Sequence, residues 1–354
     1  MKKIMVALSG GVDSAAAALL LRQQGYSVGG CTLLLRDGGE AEAEDARQTA
    51  QTLGIPFTLL DLRAEFRRDV IDYFTATYRS GGTPNPCVVC NRTIKFGRLL
   101  DYALAQGYDG MATGHYLRLL HENGRYIPAT AEFAEKDQTY VLCELTQEQL
   151  AHCVFPLGEV KSKDAVRALA AQAGLRIAKK HDSQDICFIP DGDYFAYLTA
   201  HGLTPQPGHF IRPDGTVLGA HRGMEAYTVG QRRGLGMAFG ARAYVLGKRG
   251  ADVVVGDGAL LFSKTVSVER CNWFPFERPE TPMRVQAKLR YTPRTAPALL
   301  VPTQTGCRLE FDEPQRAATP GQFAVCYDGA RLLGGGVIVE ENNFNVEENN
   351  FNKE

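Results

Sequence analysis

The chain has 354 residues, is 44% hydrophobic and 22% charged, and carries a formal net charge of -1. Those totals are those of a soluble globular protein with room for two or three cored domains, and they exclude a globally basic nucleic-acid binder. The charge is uneven: residues 205–338 carry 17 Lys and Arg against 11 Asp and Glu, residues 1–204 carry 21 against 24, and the last 16 residues carry one Lys against five Glu. A basic second half permits a polyanionic partner without demanding one.

Taken in chain order, Ile4-Met5-Val6-Ala7-Leu8 reads as a buried parallel strand, and Ala15 to Leu21 is strongly helix-forming. Between them lies Ser9-Gly10-Gly11-Val12-Asp13-Ser14. Two glycines at a strand-to-helix turn let backbone N–H groups converge on an anion, and the helix N-terminus adds partial positive charge. The turn lacks the Gly-Lys-Ser/Thr ending of a Walker A motif, and with it the lysine that grips a γ-phosphate. It resembles instead the PP-loop of ATP pyrophosphatases, which transfer AMP to a substrate and release pyrophosphate. Lys2-Lys3 before an apolar run imitates a signal peptide, but Gly10, Gly11 and Asp13 interrupt it and no apolar span is long enough for a membrane, so a cytoplasmic protein is expected.

Strand and helix patterns then alternate: strands at Val28–Leu35, Phe57–Leu60 and Gly110–Thr113, helices at Ala41–Leu53, Ala64–Tyr78 and Lys95–Ala105. This grammar predicts a doubly wound parallel sheet with ligands at the carboxyl ends of its strands, where Ser9–Ser14, Leu33 and Gly114-His115 would sit. Ser80 to Asn91, with two prolines and two glycines, reads as a rigid non-helical loop. Helices are expected again at Ser162–Ala173 and Asp193–Ala200, with a second polar loop from Lys179 to Ile189 between them.

After about Gly202 the helical period disappears and Gly and Pro recur every few residues. An all-β half is expected: a small β domain with strands at Ala243–Leu246 and Asp252–Val255, then a barrel with strands at Val266–Glu269, Arg284–Arg290, Cys307–Phe311, Gln322–Tyr327 and Arg331–Val339. The predicted division is 1–203, 204–263, 264–339 and a tail, 340–354, expected to be disordered. In that tail Val339 to Asn345 is repeated, residue for residue, as Val346 to Asn352.

Nine cysteines, an odd number, suggest free or catalytic thiols rather than a disulfide framework. Cys87 and Cys90 form a C-x-x-C without further ligands at zinc spacing, and Cys187 lies in the second polar loop; the other six sit among apolar neighbours or in β segments. Arg232, Arg233, Arg290 and Arg294 are candidate phosphate contacts.

Motifs in register make a closer resemblance. Besides the PP-loop these are Asn85-Pro86-x-x-x-Cys90-Asn91, Ala112-Thr113-Gly114-His115-Tyr116, Lys136-Asp137-Gln138, Asp185-Ile186-Cys187-Phe188, Gly230 to Gly236, Arg290-Tyr291 and Thr319-Pro320-Gly321-Gln322. Together, from about Met1 to Val339, they look like the family of tRNA-specific 2-thiouridylases, which thiolate the wobble uridine U34. The resemblance implies an ATP site at Ala7, Leu8, Ser9, Gly10, Gly11, Val12, Asp13, Ser14, Leu33 and Gly114, with Asp13 orienting the loop or a Mg²⁺ ion on the phosphates. It implies tRNA contacts at Asn85, Pro86, Cys87, His115, Lys136, Asp137, Gln138, Arg290, Tyr291 and Gln322. Cys187 would receive a persulfide sulfur from a donor or relay protein of a cysteine desulfurase pathway. Cys90 would be the nucleophile that opens a disulfide with Cys187 and frees sulfide, or that attacks C2 itself. Many members carry Asp where this chain has Cys87. Three thiolates, Cys87, Cys90 and Cys187, can also hold a [4Fe–4S] cluster with one iron open to carry hydrosulfide. Another adenylating PP-loop ligase, or a non-catalytic RNA-binding or sulfur-carrier protein, are the rival readings.

Overall fold

Ile4, Met5 and Val6 carry no polar side chain, so the first strand needs cover on both faces. The computed structural model describes residues 1–175, 186–189, 191–240, 242–292 and 294–340, and supplies that cover. The Lys179–Asp185 part of the second polar loop and the repeat beyond Glu340 lie outside the described residues.

In the first half the strands are β1 (Lys3–Ala7), β2 (Ser27–Leu34), β3 (Phe57–Asp61), β4 (Gly110–Ala112), a hairpin of β5 (Arg118–Glu122) and β6 (Arg125–Ala129), and the short β7 (Cys153–Val154). All except the hairpin form one sheet in the order β3-β2-β1-β4-β7, every pair parallel. Period-2 alternation sorts β1 between two cores. Ile4 and Val6 join Ala15–Ala18 and Leu21 of α1 (Val12–Gln23) and Ala46, Ala50 and Leu53 of α2 (Glu40–Leu53), while Met5 joins Leu99, Leu100 and Ala103 on the other face. The four consecutive alanines of α1 have no measurable exposure, so small side chains let this helix lie tightly on the sheet.

Further helical segments follow the same alternation. α3 (Arg63–Phe66) continues through a π turn at Arg67–Ile71 into α4 (Asp72–Arg79), and α5 (Pro86–Cys90) through a π segment at Asn91–Arg98 into α6 (Leu99–Ala105). Cys87 and Cys90 therefore stand on the first turn of a long helix, where the prolines and glycines had predicted a non-helical loop as far as Asn91. The reason is local. Asn85 caps the helix, its Oδ1 accepting from Val88 N at 3.4 Å, and Pro86 occupies the first helical position, where a missing N–H costs nothing. α7 (Gln147–Ala151), α8 (Lys163–Gln172) and α9 (Tyr194–Ala200) complete the described helices of the first half.

The second half is all-β as expected. β8 (Gly208–Ile211), β9 (Val217–His221), β10 (Tyr244–Arg249) and β11 (Asp252–Gly256) form a small sheet in the order β10-β11-β8-β9. β12 (Phe262–Trp273), β13 (Met283–Lys288), β14 (Ala296–Pro302), β15 (Gly306–Arg316), β16 (Phe323–Asp328) and β17 (Arg331–Ile338) form a barrel closed by pairing of β12 with β17. β6 also joins this sheet, through Arg331 and Ala129.

The barrel is fastened to the first half. The Arg125 guanidinium donates to the carbonyls of Phe274, Trp273 and Phe276, Asn272 Nδ2 donates to the carbonyls of Cys143 and Leu145, and Tyr140 Oη donates to Phe323 O. Phe274, Phe323, Val325 and Leu332 share one core with Leu99, Leu117 and Ile127. Among the described residues no helix is long and apolar enough to cross a membrane.

Candidate active site

The turn after β1 is built almost entirely from main chain and small side chains. Leu8 N donates to Cys31 O of the neighbouring strand at 2.8 Å, and Ser9 N donates to Ser14 Oγ at 3.1 Å. Ser14 Oγ in turn donates to Gly11 O at 3.0 Å, which ties the loop across its own mouth. Gly10 has φ +69°, and a Cβ there would meet Glu42 O at 2.7 Å, so both the conformation and the close approach of α2 demand glycine. Gly11 caps α1 without any side-chain hydrogen bond, which leaves the first amides of the helix for an anion. Ala7 ends β1, and Val12 is buried beneath the loop.

Gly114 closes the other side of this turn. A Cβ on it would lie 2.7 Å from Ser14 N and 2.8 Å from the Asp13 carbonyl carbon. β4 can deliver its end to the loop only as glycine. His115, next along, is buried; Thr113 Oγ1 and His115 Nδ1 share a 2.8 Å hydrogen bond, and Phe96 packs on the ring at 5.7 Å between centroids. Burial and, secondarily, the Lys95 cation push its protonation well below the usual histidine range, so the imidazole is neutral.

Asp13 faces side chains of its own protein. Lys163 Nζ lies 2.8 Å from both carboxylate oxygens, and Tyr116 Oη donates to Oδ1 at 2.6 Å. A lysine is thus held at the PP-loop from a helix that begins 150 positions later in the chain. No local signal in the sequence marks Lys163, because a lysine at the start of α8, after the Ser162 cap, reads as ordinary helix surface.

The three thiols of interest lie within electrostatic reach of one another. Charge on Cys187 or Cys87 raises the Cys90 pKa, and the Lys95 cation, on the helical run that follows Cys90, lowers all three. Desolvation is the largest influence on each: it pushes Cys90 up to about 12 and raises Cys87 and Cys187 as well. Solvent still reaches Cys87 and Cys187, whereas Cys90 is buried. Cys90 packs with Phe66, Phe74, Phe188 and Ile189, and Leu33 lies against this cluster. The Lys95 cation lies within electrostatic reach of the thiols and of His115 alike. No sequence signal marks Lys95, since one lysine in a helical pattern carries no chemical signature.

The residues expected to meet tRNA divide into two kinds. Asn85, Pro86 and Cys87 form the helix start, with Cys87 exposed; Tyr291, 53% exposed, packs its ring on Tyr140 and donates to Asp137 O at 3.2 Å. Arg232, Arg233 and Arg294 are exposed, and Arg290 donates to Arg316 O at 2.8 Å. By contrast, Asp137 is buried, accepting from Thr139 Oγ1 and Ala131 N with Lys288 Nζ 3.8 Å away, and Gln138 Oε1 accepts from Tyr116 N. Lys136 is half-buried beside them. Gln322 sits at a barrel corner and donates to the carbonyls of Thr83 and Pro84 at 3.1 and 3.0 Å, while Thr83 N donates to Pro320 O at 2.8 Å. The barrel therefore holds the approach to the Asn85–Cys90 turn.

Three family models match successive stretches of the chain: the tRNA methyl transferase HUP domain over residues 2–191, the tRNA methyl transferase PRC-barrel domain over 197–257, and the aminomethyltransferase beta-barrel domain over 263–338. A solved 4-thiouridine synthetase–RNA complex with bound ATP is similar at 15% identity and a TM-score of 0.39, over 56% of this chain and 50% of that one. The chain is 42% identical over 353 residues to the tRNA-specific 2-thiouridylase MnmA of Clostridium acetobutylicum, covering 95% of this chain and 99% of that one. It is 43% identical over 364 residues to the enzyme of the same name from Desulfitobacterium hafniense, covering 96% and 98%. Likeness of that degree, sustained across catalytic half, middle domain and barrel, makes this chain a member of the tRNA-specific 2-thiouridylase family.

Proposed function

We propose that the protein uses ATP to replace the C2 oxygen of uridine with sulfur at the wobble position, U34, of tRNA. The observation that carries this reading is the likeness, 42% identity over 95% of the chain, to an enzyme named tRNA-specific 2-thiouridylase, together with a PP-loop whose first helical amides no side chain caps. An activating loop and a thiol cluster are the two halves that such a replacement needs.

ATP is a substrate here. The free amides at the start of α1, shaped by Gly10 and Gly11, cradle its phosphates, with Mg²⁺ travelling on them, and Lys163 stands beside them on Asp13. The uracil C2 oxygen attacks the α-phosphorus, pyrophosphate leaves, and C2 then bears an adenylate. Cys187, which solvent reaches, accepts a sulfane sulfur from a persulfide-bearing donor protein. The Cys90 thiolate attacks the Cys187 Sγ, forming the Cys90–Cys187 disulfide and expelling hydrosulfide. Hydrosulfide adds to C2, AMP departs with the original oxygen, and two external thiols reduce the disulfide by successive exchange, leaving as their own disulfide. Lys95 counters the negative charge that the thiolates bring into a desolvated place. Cys87, Cys90 and Cys187 are the thiols a [4Fe–4S] cluster would use, but no three His, Cys, Asp or Glu among the described residues are arranged to hold a metal ion.

The decisive experiment incubates tRNA with the protein, ATP and a persulfide donor, and measures 2-thiouridine by mass analysis and pyrophosphate by coupled assay. The wild type should form both in a tRNA-dependent way. Cys90→Ser and Cys187→Ser should release pyrophosphate without forming 2-thiouridine. Full thiolation by both variants, or pyrophosphate release indifferent to tRNA, overturns the reading.

A further inference from the structure

A cavity of about 620 Å³ lies where the first half, the small sheet and the barrel meet. Gly81 and Gly82 line it from the loop after α4, Lys248 from β10, and Leu260, Phe262 and Val266 from the start of the barrel. Leu260 and Phe262 are 61% and 50% exposed there, two large apolar side chains left open side by side. Lys248 Nζ is buried with no hydrogen-bond partner among the described residues, and its Cδ lies 3.2 Å from the place where Gly81 would carry a Cβ. Burial lowers the Lys248 pKa to about 8, against the pull of the Glu225 and Glu340 carboxylates. Glu340 belongs to the same wall, and with it the described chain ends.

The ladder between β12 and β17 gives that wall a direction. Val268 lies opposite Ile338, and Val339 N donates to Ser267 O at 3.0 Å. Carried on in the same register, Glu340 falls opposite Val266, and Phe344 arrives at the Phe262 end of β12, past the bulge between Ser263 and Thr265. Four extended residues, about 13 Å, separate Glu340 from Phe344 as they separate Val266 from Phe262.

We propose that this cavity is the docking site of the chain's own C-terminal segment, with residues 341–345 laid along β12 and Phe344 covering Leu260 and Phe262. Where the segment begins selects it over any other occupant. It starts on the cavity wall, so its local concentration there is of millimolar order without an encounter with a second molecule. Its charge fits as well: residues 341–354 carry four Glu against one Lys, and the cation lining the cavity, Lys248, lacks a hydrogen-bond acceptor. Docked there, the segment ties the loop at 80–82 to the barrel. That loop leads into Thr83, whose N–H donates to Pro320 O, and so into the thiol turn. Residues 346–352 repeat 339–345, so Phe351 can take the place that Phe344 leaves, at the entropic cost of a short loop. None of this depends on the reaction proposed above.

The test uses the full chain with the photoreactive p-benzoylphenylalanine in place of Phe344, irradiated, digested and mapped by mass spectrometry. The expected result is an intramolecular cross-link to a peptide spanning 260–267 or 80–82. Cross-links confined to other parts of the chain, or joining two copies, overturn the proposal. Hydrogen exchange gives a second reading. A chain ending at Glu340 keeps every described element, and should exchange its amides at 260–267 and 80–82 several-fold faster than the full chain. A synthetic peptide of residues 341–354 should restore the protection. The full-length double variant Phe344→Ser, Phe351→Ser should exchange like the truncated chain. Equal exchange in the full, truncated and doubly substituted chains overturns the proposal.

Discussion

The PP-loop and the thiol turn are built in opposite ways. Ser9–Ser14 is held by its own backbone, by the Ser14 hydroxyl, and by glycines at positions where a Cβ would collide. The Asn85–Cys90 turn begins with a local cap but is approached through Thr83 and Pro84, whose carbonyls are held by Gln322 from a barrel more than two hundred positions away. The first site is rigid because its neighbours leave no other shape. The second takes its place from another domain, which suits a segment that must meet both a large polyanion and a sulfur donor. Activation chemistry and sulfur chemistry should therefore fail separately.

The largest separation is expected from the thiols. Cys90→Ser and Cys187→Ser should each lower 2-thiouridine formation by about 10³-fold or more, since a nucleophile or carrier is lost outright, with tRNA-dependent pyrophosphate release retained. If pyrophosphate release falls equally, the two halves are not separable and the comparison breaks. Gly114→Ala is the converse test. A methyl 2.7 Å from Ser14 N must displace the loop, and a misplacement of that order costs about 10²-fold in pyrophosphate release. Persulfide loading of Cys187 in the same variant, read by mass, should be unchanged.

Lys95→Met should act on the sulfur half through charge. Lys95 lowers the thiol pKa values, so its removal raises them, and the thiolate fraction falls at any pH below the new pKa. A one-unit rise means about a tenfold slower alkylation of Cys87 and Cys187, with the rate profile moved to higher pH. An unchanged profile would remove Lys95 from the mechanism. His115 gives a stability counterpart. Its folded pKa lies below the unfolded value of about 6.5, so the unfolded chain binds the extra proton first. Its contribution to stability is full above about pH 6.5 and is lost as pH falls below it, by about 1.4 kcal/mol per pH unit. His115→Gln should flatten that part of the curve in denaturant titrations at pH 5 and pH 7. The smallest effect belongs to the clamp. Gln322→Ala removes two hydrogen bonds at about 1 kcal/mol each, and should raise the KM for tRNA several-fold while sparing kcat.

Much of the architecture was legible because its signals are local. Apolar β1, the glycine turn and the alanine-rich start of α1 are contiguous, so sequence alone names a strand, an anion-binding turn and a helix. The β half announced itself by Gly and Pro punctuation, although β14 and the strands β8 and β9 went unremarked. The Asn85-Pro86 step was misjudged: proline punctuation suggested a loop, whereas a capping Asn followed by Pro at the first helical position starts a helix. The hairpin β5–β6 gave no clue that it would extend the barrel sheet, because an edge pairing is chosen by the partner strand and not by its own pattern.

What the sequence determined by itself, then, is the kind of chemistry: a pyrophosphatase turn, a C-x-x-C with a third cysteine in a polar stretch, and a basic all-β half. These depend on residue types at short spacing, where chain connectivity fixes geometry. Only the tertiary structure decided that Cys187 comes within electrostatic reach of Cys87 and Cys90, that Lys95 acts on His115 as well as on Cys187, that Lys163 reaches the PP-loop through Asp13, and that Asp137 and Gln138 turn inward. Each of these is a contact between positions distant in the chain, and side-chain types alone hold no record of which distant partner packing will bring within reach.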